Sequence, residues 1–442
     1  MDVSSVLLVF FTICVFFLPV LALLPPIPPS LGEALQSTHI KVGIERPRRL
    51  RKRIQTVTSG TSGAVSSGPA KISSLWIYPV KSCKGIEVAR SKVLPAGLEF
   101  DRLFTFAQLR SPFPVGLVAS EEEKSQHKWE FITQRQFPLL ATVQVDLYVP
   151  DATKASSFSS TAERLGDPYV ILRFPWRDAG WRGSLSWVAS KIRHGIHGQP
   201  EKEILLPVTF PSAEEIKQQG YTFEPVRIWK DTVRALNMEK ELPPELRLYL
   251  GVSNRLGLFR VDPGALREVY RCAPSAADAG YQPVTGFQDA YPLHMLNLAS
   301  VRDLDSKIAK DKKIPSLDPR RFRPNIIIDG PSAYDEDTWK KVRFRDSSGK
   351  GQDMTMHVSC RTVRCKMPNV DQDDGFRHPV EPDKSLRKYR EVDEGAPHLG
   401  CLGMQLTPLF EDTKTGHGME GWLEAGMAVE VVERGTHRYI RQ

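Results

Sequence analysis

The sequence predicts a β-rich α+β fold, barrel-like and in two sub-domains, preceded by one apolar helix. Three observations carry this. Short runs rich in β-branched and aromatic residues recur between Gly and Pro from residue 71 onward. In one of them Val143, Val145, Leu147 and Val149 alternate with Gln144, Asp146 and Tyr148, the period of a half-buried strand. Only one long uncharged apolar run exists, residues 6–24, so a multi-span membrane protein is excluded.

Taken in order, residues 1–24 read as an N-terminal anchor. The run 6–24 is broken only by Thr12 and Pro19, and as a helix it reaches ~28 Å, just enough for a ~30 Å hydrocarbon core. A cleaved signal peptide is the alternative, but Asp2 and the lack of any basic residue ahead of the run disfavour it. Residues 25–70 read as a linker. Its cluster Arg46, Arg48, Arg49, Arg51, Lys52 and Arg53 supplies six of the net +8 charges, leaving the remainder at +2. A basic cluster after the run and none before it places the body in the cytosol, and it suits anionic headgroups. A solvated basic linker is the plainer reading. Residues 56–70 are Gly/Ser/Thr-rich, as in a flexible tether.

The folded body begins near Lys71 and divides at 215/216. Strands are expected at 75–80, 103–107, 143–149 and 169–174 in the first part, with loops or inserts at 111–128 and 152–163. The second part opens on a strand at 226–229 and closes on one at 427–432. Its clearest helix starts at Ser300, with Asp303 three residues on, and shows Val301, Leu304 and Ile308 on one face. With the basic cluster set aside the body is near neutral, which argues against a nucleic-acid binder. Six cysteines, one of them in the apolar run, do not make a disulfide framework, which fits a reducing, cytosol-facing location.

No P-loop, dinucleotide fingerprint, Gly-x-Ser-x-Gly elbow or His-Glu-x-x-His occurs. Unusual chemistry concentrates in four segments. Lys81 and Ser82 follow a predicted strand, where they either hold an anion or form a surface turn. Arg102 follows Asp101 and enters an apolar strand, ion-paired or pointing into a pocket. Arg320, Arg321 and Arg323 lead into Asn325 and a buried-looking strand; Arg is the preferred bidentate partner of phosphate and carboxylate. Cys360 and Cys365 are flanked by Arg361 and Arg364, which favour the thiolate. Cys-x4-Cys beside His357 raises zinc, but a structural zinc site needs four ligands and no second pair appears. Two inert, packed cysteines are the plain alternative. Together the segments suggest one activated thiolate and several cations around a polyanionic cofactor whose metal is ligated by cysteine.

At these residues the sequence resembles the MOSC superfamily, and within it the amidoxime-reducing component family in its fungal, membrane-anchored form. The matching stretches, in order, are Tyr-Pro-Val-Lys-Ser-Cys-Lys-Gly at 78–85, Asp-Arg at 101–102, Phe-Ile-Thr-Gln-Arg at 131–135, Phe-Arg-Pro-Asn at 322–325, Arg-Cys at 364–365 with Val-Asp at 370–371, and Glu-Pro-Asp-Lys-Ser-Leu-Arg-Lys-Tyr-Arg at 381–390. The resemblance implies a MOSC N-terminal β-barrel domain over 71–215 and a MOSC domain with helices over 216–442. It implies a molybdenum cofactor (Mo-molybdopterin) with Cys365, not Cys360, on the metal. The cofactor contacts it implies are Lys81, Ser82, Arg102, Asp289, Arg323, Asn325, Arg364 and Gln405. The implied reaction is reduction of amidoximes and hydroxylamines to the amine plus water, with electrons from cytochrome b5 and NADH-cytochrome b5 reductase. The implied address is the mitochondrial outer membrane, with the endoplasmic reticulum as an alternative.

The sequence departs from the family pattern at Ala290 and Val363, where hydroxyl residues are common, at the Met367-Pro368-Asn369 turn, and in inserts at 111–128 and about 179–220. Two other functions compete. MOSC domains also occur in molybdenum-cofactor sulfurases, so Cys365 could carry a persulfide; the pyridoxal phosphate sometimes linked to such proteins needs a lysine in a domain for which there is no room. The other is a non-enzymatic membrane tether.

Overall fold

The computed structural model describes residues 2–23, 30–44, 69–111, 127–155, 166–346, 352–410 and 418–440. The basic cluster 46–53, most of the tether 56–70, and most of the stretches expected as inserts at 111–128 and 152–163 lie outside the described residues.

Two rings of strands organise the body. Ile326–Asp329, Leu293–Asn297, Cys401–Pro408, Met354–Val363, Trp339–Arg345, Ala428–Arg434 and Lys71–Ile77 are neighbours in that order, and the last also pairs with the first. Ile86–Val88 adds to the side of Lys71–Ile77. The second ring is a closed barrel of Thr222–Ile228, Asp231–Asn237, Leu256–Val261, Phe104–Arg110 and Lys128–Phe131. A four-stranded sheet, His39–Val42, Gln144–Pro150, Tyr169–Pro175 and Glu201–Pro207, completes the frame. The expected strands at 75–80, 103–107, 143–149, 169–174, 226–229 and 427–432 all appear within a few residues of their predicted bounds.

Three expectations change. The split at 215/216 runs through both rings, because each ring takes strands from both sides of it. Ordered structure also precedes residue 71. Ser30 caps a short helix, Leu31–Leu35, through a capping box, and His39–Val42 then pairs antiparallel with Gln144–Pro150. The third change concerns the anchor. Val3–Leu23 is a helix of 21 residues, but the bilayer span expected of it finds no support. Among the described residues no helix is long and apolar enough to cross a membrane.

The helix expected from Ser300 is Leu298–Lys307, and its cap is Asn297, whose Oδ1 accepts the Ala299 amide at 3.0 Å. Ser300 has another task. Its hydroxyl donates to the buried Glu336 Oε1 at 2.6 Å, and Asn297 Nδ2 donates to Oε2 at 2.8 Å. Burial nevertheless raises the Glu336 carboxyl from 4.5 to about 7, against both hydrogen bonds. The folded state therefore holds this proton more tightly than the unfolded chain. Its contribution is fully present below pH 4.5 and lost as pH rises to about 7, a change of about 3 kcal/mol. Glu336→Gln is expected to flatten that slope in urea unfolding across this window; a parallel slope in the variant contradicts it.

Candidate functional site

The first site element is the turn after Lys71–Ile77, which touches the small barrel before the chain returns to Ile86–Val88 beside the large ring. Val80 bridges to Phe104 of the barrel, and the Lys81 amide donates to the Phe104 carbonyl at 2.8 Å. Ser82 then takes a left-handed φ of 68°, and the turn brings both residues inward. Lys81 is buried, its Nζ donating to the Phe287 carbonyl at 2.7 Å and to Asp289 Oδ1 at 2.6 Å. Burial lowers the Lys81 pKa, and Asp289 opposes this. On Asp289 itself burial works against the charge. Lys81 outweighs it, helped by Trp229 Nε1 at 3.2 Å, and holds the carboxyl below the usual range.

Two further turns present arginines. Arg102 and Arg323 both sit at φ 51°, a strained setting for a side chain of this size. Their guanidinium groups lie on the ring of the buried Tyr78, at 4.9 and 4.2 Å from its centroid. Arg102 is ion-paired with Asp101 and donates to Asn325 Oδ1 at 3.2 Å. Asn325 in turn ties the rim together: its Oδ1 also accepts the His294 amide, and its Nδ2 donates to the Trp76 carbonyl.

Arg323 and Arg364 differ from Lys81 and Arg102. Arg323 Nη1 donates to the Cys83 carbonyl at 2.6 Å, while its Nη2 is buried without a partner. Arg364 donates only to the Leu402 and Phe322 carbonyls and contacts His294 Nε2. Among the described residues neither has an acidic partner within 4 Å. Burial lowers each to about 10, so both remain cations at neutral pH. Two buried guanidinium groups that face one cavity without carboxylates are costly unless an anion completes them.

That cavity, about 1160 Å³, is lined by all nine predicted site residues: Cys365, Lys81, Ser82, Arg102, Asp289, Arg323, Asn325, Arg364 and Gln405. Cys365 follows the strand Met354–Val363, and its Sγ accepts the Met367 amide at 3.4 Å. The expected activation of this thiol is corrected. Burial pushes its pKa up, and Arg364 is only a minor opposing influence. Arg361 is engaged elsewhere, with Asp393 at 3.2 Å and the His437 carbonyl at 3.0 Å.

Of the three clustered arginines only Arg323 is free for a ligand. Arg320 pairs with Asp318 and Asp373. Arg321, fully buried, pairs with Asp371 and donates to the Asn369 carbonyl at 3.1 Å, fixing the turn that follows Cys365. Sequence reasoning missed His294, which burial and Arg364 hold neutral beneath the cavity. It also missed Trp229 and gave Phe131 no role beyond the matching stretch at 131–135; the two form an edge-to-face pair at 5.3 Å that lines the cavity. One indirect signal pointed to His294: Gly403, at φ 80°, where a Cβ would lie 2.5 Å from its Nε2. Only the fold makes that signal readable.

Cys360 lies in the apolar cluster of Val269 and Tyr291. Hydrogen bonding to Cys272 and burial push its thiol well above the usual value. Cys360→Ser is therefore expected to keep activity and cost about 1–2 kcal/mol of stability; loss of activity with the fold intact would transfer the ligand role to Cys360. The zinc reading gains nothing, since among the described residues no group of three His, Cys, Asp or Glu side chains is placed to hold a metal ion.

Fold and site together describe a double-ring protein whose shared cavity suits an anionic group beside a cysteine. The chain belongs to the MOSC domain superfamily: the MOSC N-terminal beta barrel domain matches residues 69–164 and the MOSC domain matches residues 282–430. It is similar to mitochondrial amidoxime reducing component 2 of Rattus norvegicus, 26% identical over 83% of this chain and 80% of that protein. Mitochondrial amidoxime-reducing component 1 of Mus musculus is 27% identical over 79% and 76%. A molybdenum cofactor sulfurase of Oryza sativa is 35% identical, but over only 34% of this chain and 17% of that protein.

Proposed function

We propose that the protein is a molybdenum-cofactor-dependent reductase of N-hydroxylated compounds. The observation that carries this is the pair of buried guanidinium groups, Arg323 and Arg364, without acidic partners among the described residues, around the cavity that Cys365 lines. A phosphate-bearing cofactor that brings its own metal ligands except one fits that donor set. Arg323 and Arg364 would hold its anionic part, with Lys81, Ser82 and Arg102 beside them, and Cys365 would complete the metal's coordination. Bound there, it supplies two-electron reduction, turning an amidoxime into an amidine and water with two protons.

The chain's own residues shape access. Phe131 and Trp229 form an aromatic wall for a planar N-hydroxy group, and Arg135 lies over Trp229 at 5.0 Å. Asp289, kept charged at the mouth, orients a donor-bearing substrate. We assign the electrons to cytochrome b5 and its NADH-dependent reductase. The helix Val3–Leu23, with Leu8, Phe10, Phe11 and Phe16 exposed, attaches the chain to a mitochondrial outer or endoplasmic reticulum membrane.

Purified protein is expected to hold molybdenum near one per chain and to reduce benzamidoxime with NADH, cytochrome b5 and its reductase. Persulfide on Cys365 without molybdenum would instead favour sulfur transfer, the reading suggested by the name of the rice relative.

A further inference from the structure

The helix Gly180–His194 faces the wrong way for a helix that packs on a core. It connects the strands Tyr169–Pro175 and Glu201–Pro207 and lies between the two matched family regions. At ~100° per residue, Trp181, Leu185 and Val188 fall within an arc of ~60°, and Gly183 and Ser190 lie opposite. Gly183 and Ser190 are buried, Ser190 being 7% exposed, whereas Trp181, Leu185 and Val188 are 70%, 58% and 46% exposed, with Ser184 and Trp187 also exposed. Ile196, just beyond the helix, is 79% exposed. The apolar stripe thus points to solvent and the small polar stripe to the protein.

We propose that this helix docks, lying flat, on an anionic lipid bilayer. Charge selects that occupant: residues 180–194 contain Arg182, Lys191 and Arg193 and no Asp or Glu. Tryptophan beside aliphatic and basic residues is the composition of interfacial helices. At 15 residues, ~22 Å, the helix is too short to span a bilayer and long enough to lie on one. Its place in the fold agrees. The Leu31 amide donates to Glu203 Oε2 at 2.6 Å, on the strand that returns from this helix, and Leu31 is eight residues from the end of the apolar helix Val3–Leu23, within ~28 Å of chain. The two apolar surfaces can therefore meet one membrane. This contact is separate from the N-terminal helix and independent of the catalytic reading.

The test is amide hydrogen exchange of residues 180–196 in the full chain, with phosphatidylcholine vesicles alone and with phosphatidylglycerol added. Exchange is expected to slow about tenfold on the anionic vesicles, and to do so neither on neutral vesicles nor in the triple variant Trp181→Ser, Leu185→Ser, Val188→Ser. All three side chains are solvent-exposed, and an unchanged unfolding transition in the variant controls for folding. Protein that floats with anionic vesicles while exchange in 180–196 is unchanged is held by the N-terminus alone, and the proposal falls. Protection without vesicles, together with a doubled mass, would assign the stripe to a second copy of the chain and also overturn it.

Discussion

Cys365→Ser is expected to abolish N-hydroxy reduction and leave a folded protein with little molybdenum. The fold should survive because Sγ makes one weak contact, 3.4 Å from the Met367 amide, which a serine hydroxyl can replace. The turn behind it is held by Arg321 on Asp371 and the Asn369 carbonyl, independently of the sulfur. The chemistry should not survive, since a hydroxyl is a far poorer ligand than a thiolate for a soft metal. A second reason lies in the thiol's own environment. Burial disfavours the free thiolate here, so on the proposed reading the metal would supply the stabilisation that neighbouring charges do not. Metal analysis, circular dichroism and benzamidoxime turnover on the same preparation decide it. Full activity in the serine variant would remove Cys365 from the site.

Arg323→Ala is expected to lower cofactor occupancy far more than stability. In the protein alone the guanidinium makes one hydrogen bond, to the Cys83 carbonyl at 2.6 Å, and leaves Nη2 unpartnered. Removing it costs the carbonyl one partner, about 1–3 kcal/mol, and removes a buried cation that was itself unfavourable. With an anion bound, the same deletion strands a buried negative charge, about 2–5 kcal/mol or 30- to several-thousand-fold in affinity. The backbone strain at φ 51° is common to Arg and Ala and cancels. Cofactor retained on gel filtration, set against the urea midpoint, separates the two effects. Equal losses in both would make Arg323 a structural residue.

Much of the site was legible in the chain because its parts are local. Lys81-Ser82, Asp101-Arg102, Arg323-Pro324-Asn325 and Arg364-Cys365 each sit on one turn next to a strand, and short motifs survive in a linear reading. Which member of each motif turns inward was not legible. Arg320, Arg321 and Arg323 look alike in sequence, yet one pairs on the surface, one pins the turn after Cys365 and one meets the cavity. For Arg321 that choice depends on a carboxylate 50 residues away, Asp371, and for Arg320 on Asp373 as well as on Asp318 two residues before it. Arg361 and Arg364 show the same effect: proximity along the chain suggested an activated thiol, but Asp393 takes Arg361 and burial dominates Cys365.

The sequence alone determined the strand-rich character of the body and several strand positions, because alternation and turn chemistry act over a few residues, while the set of cavity residues came from the resemblance of its short motifs to a known family. Only the tertiary structure decided that the two halves interleave, with Lys71–Ile77 closing a ring of later strands and Phe104–Arg110 sharing a barrel with Thr222–Ile228. Strand pairing over such separations leaves no local trace, since any strand with a compatible apolar face can partner any other. It likewise decided which guanidinium groups are left without acids, because desolvation and ion pairing depend on what the fold brings within a few ångströms.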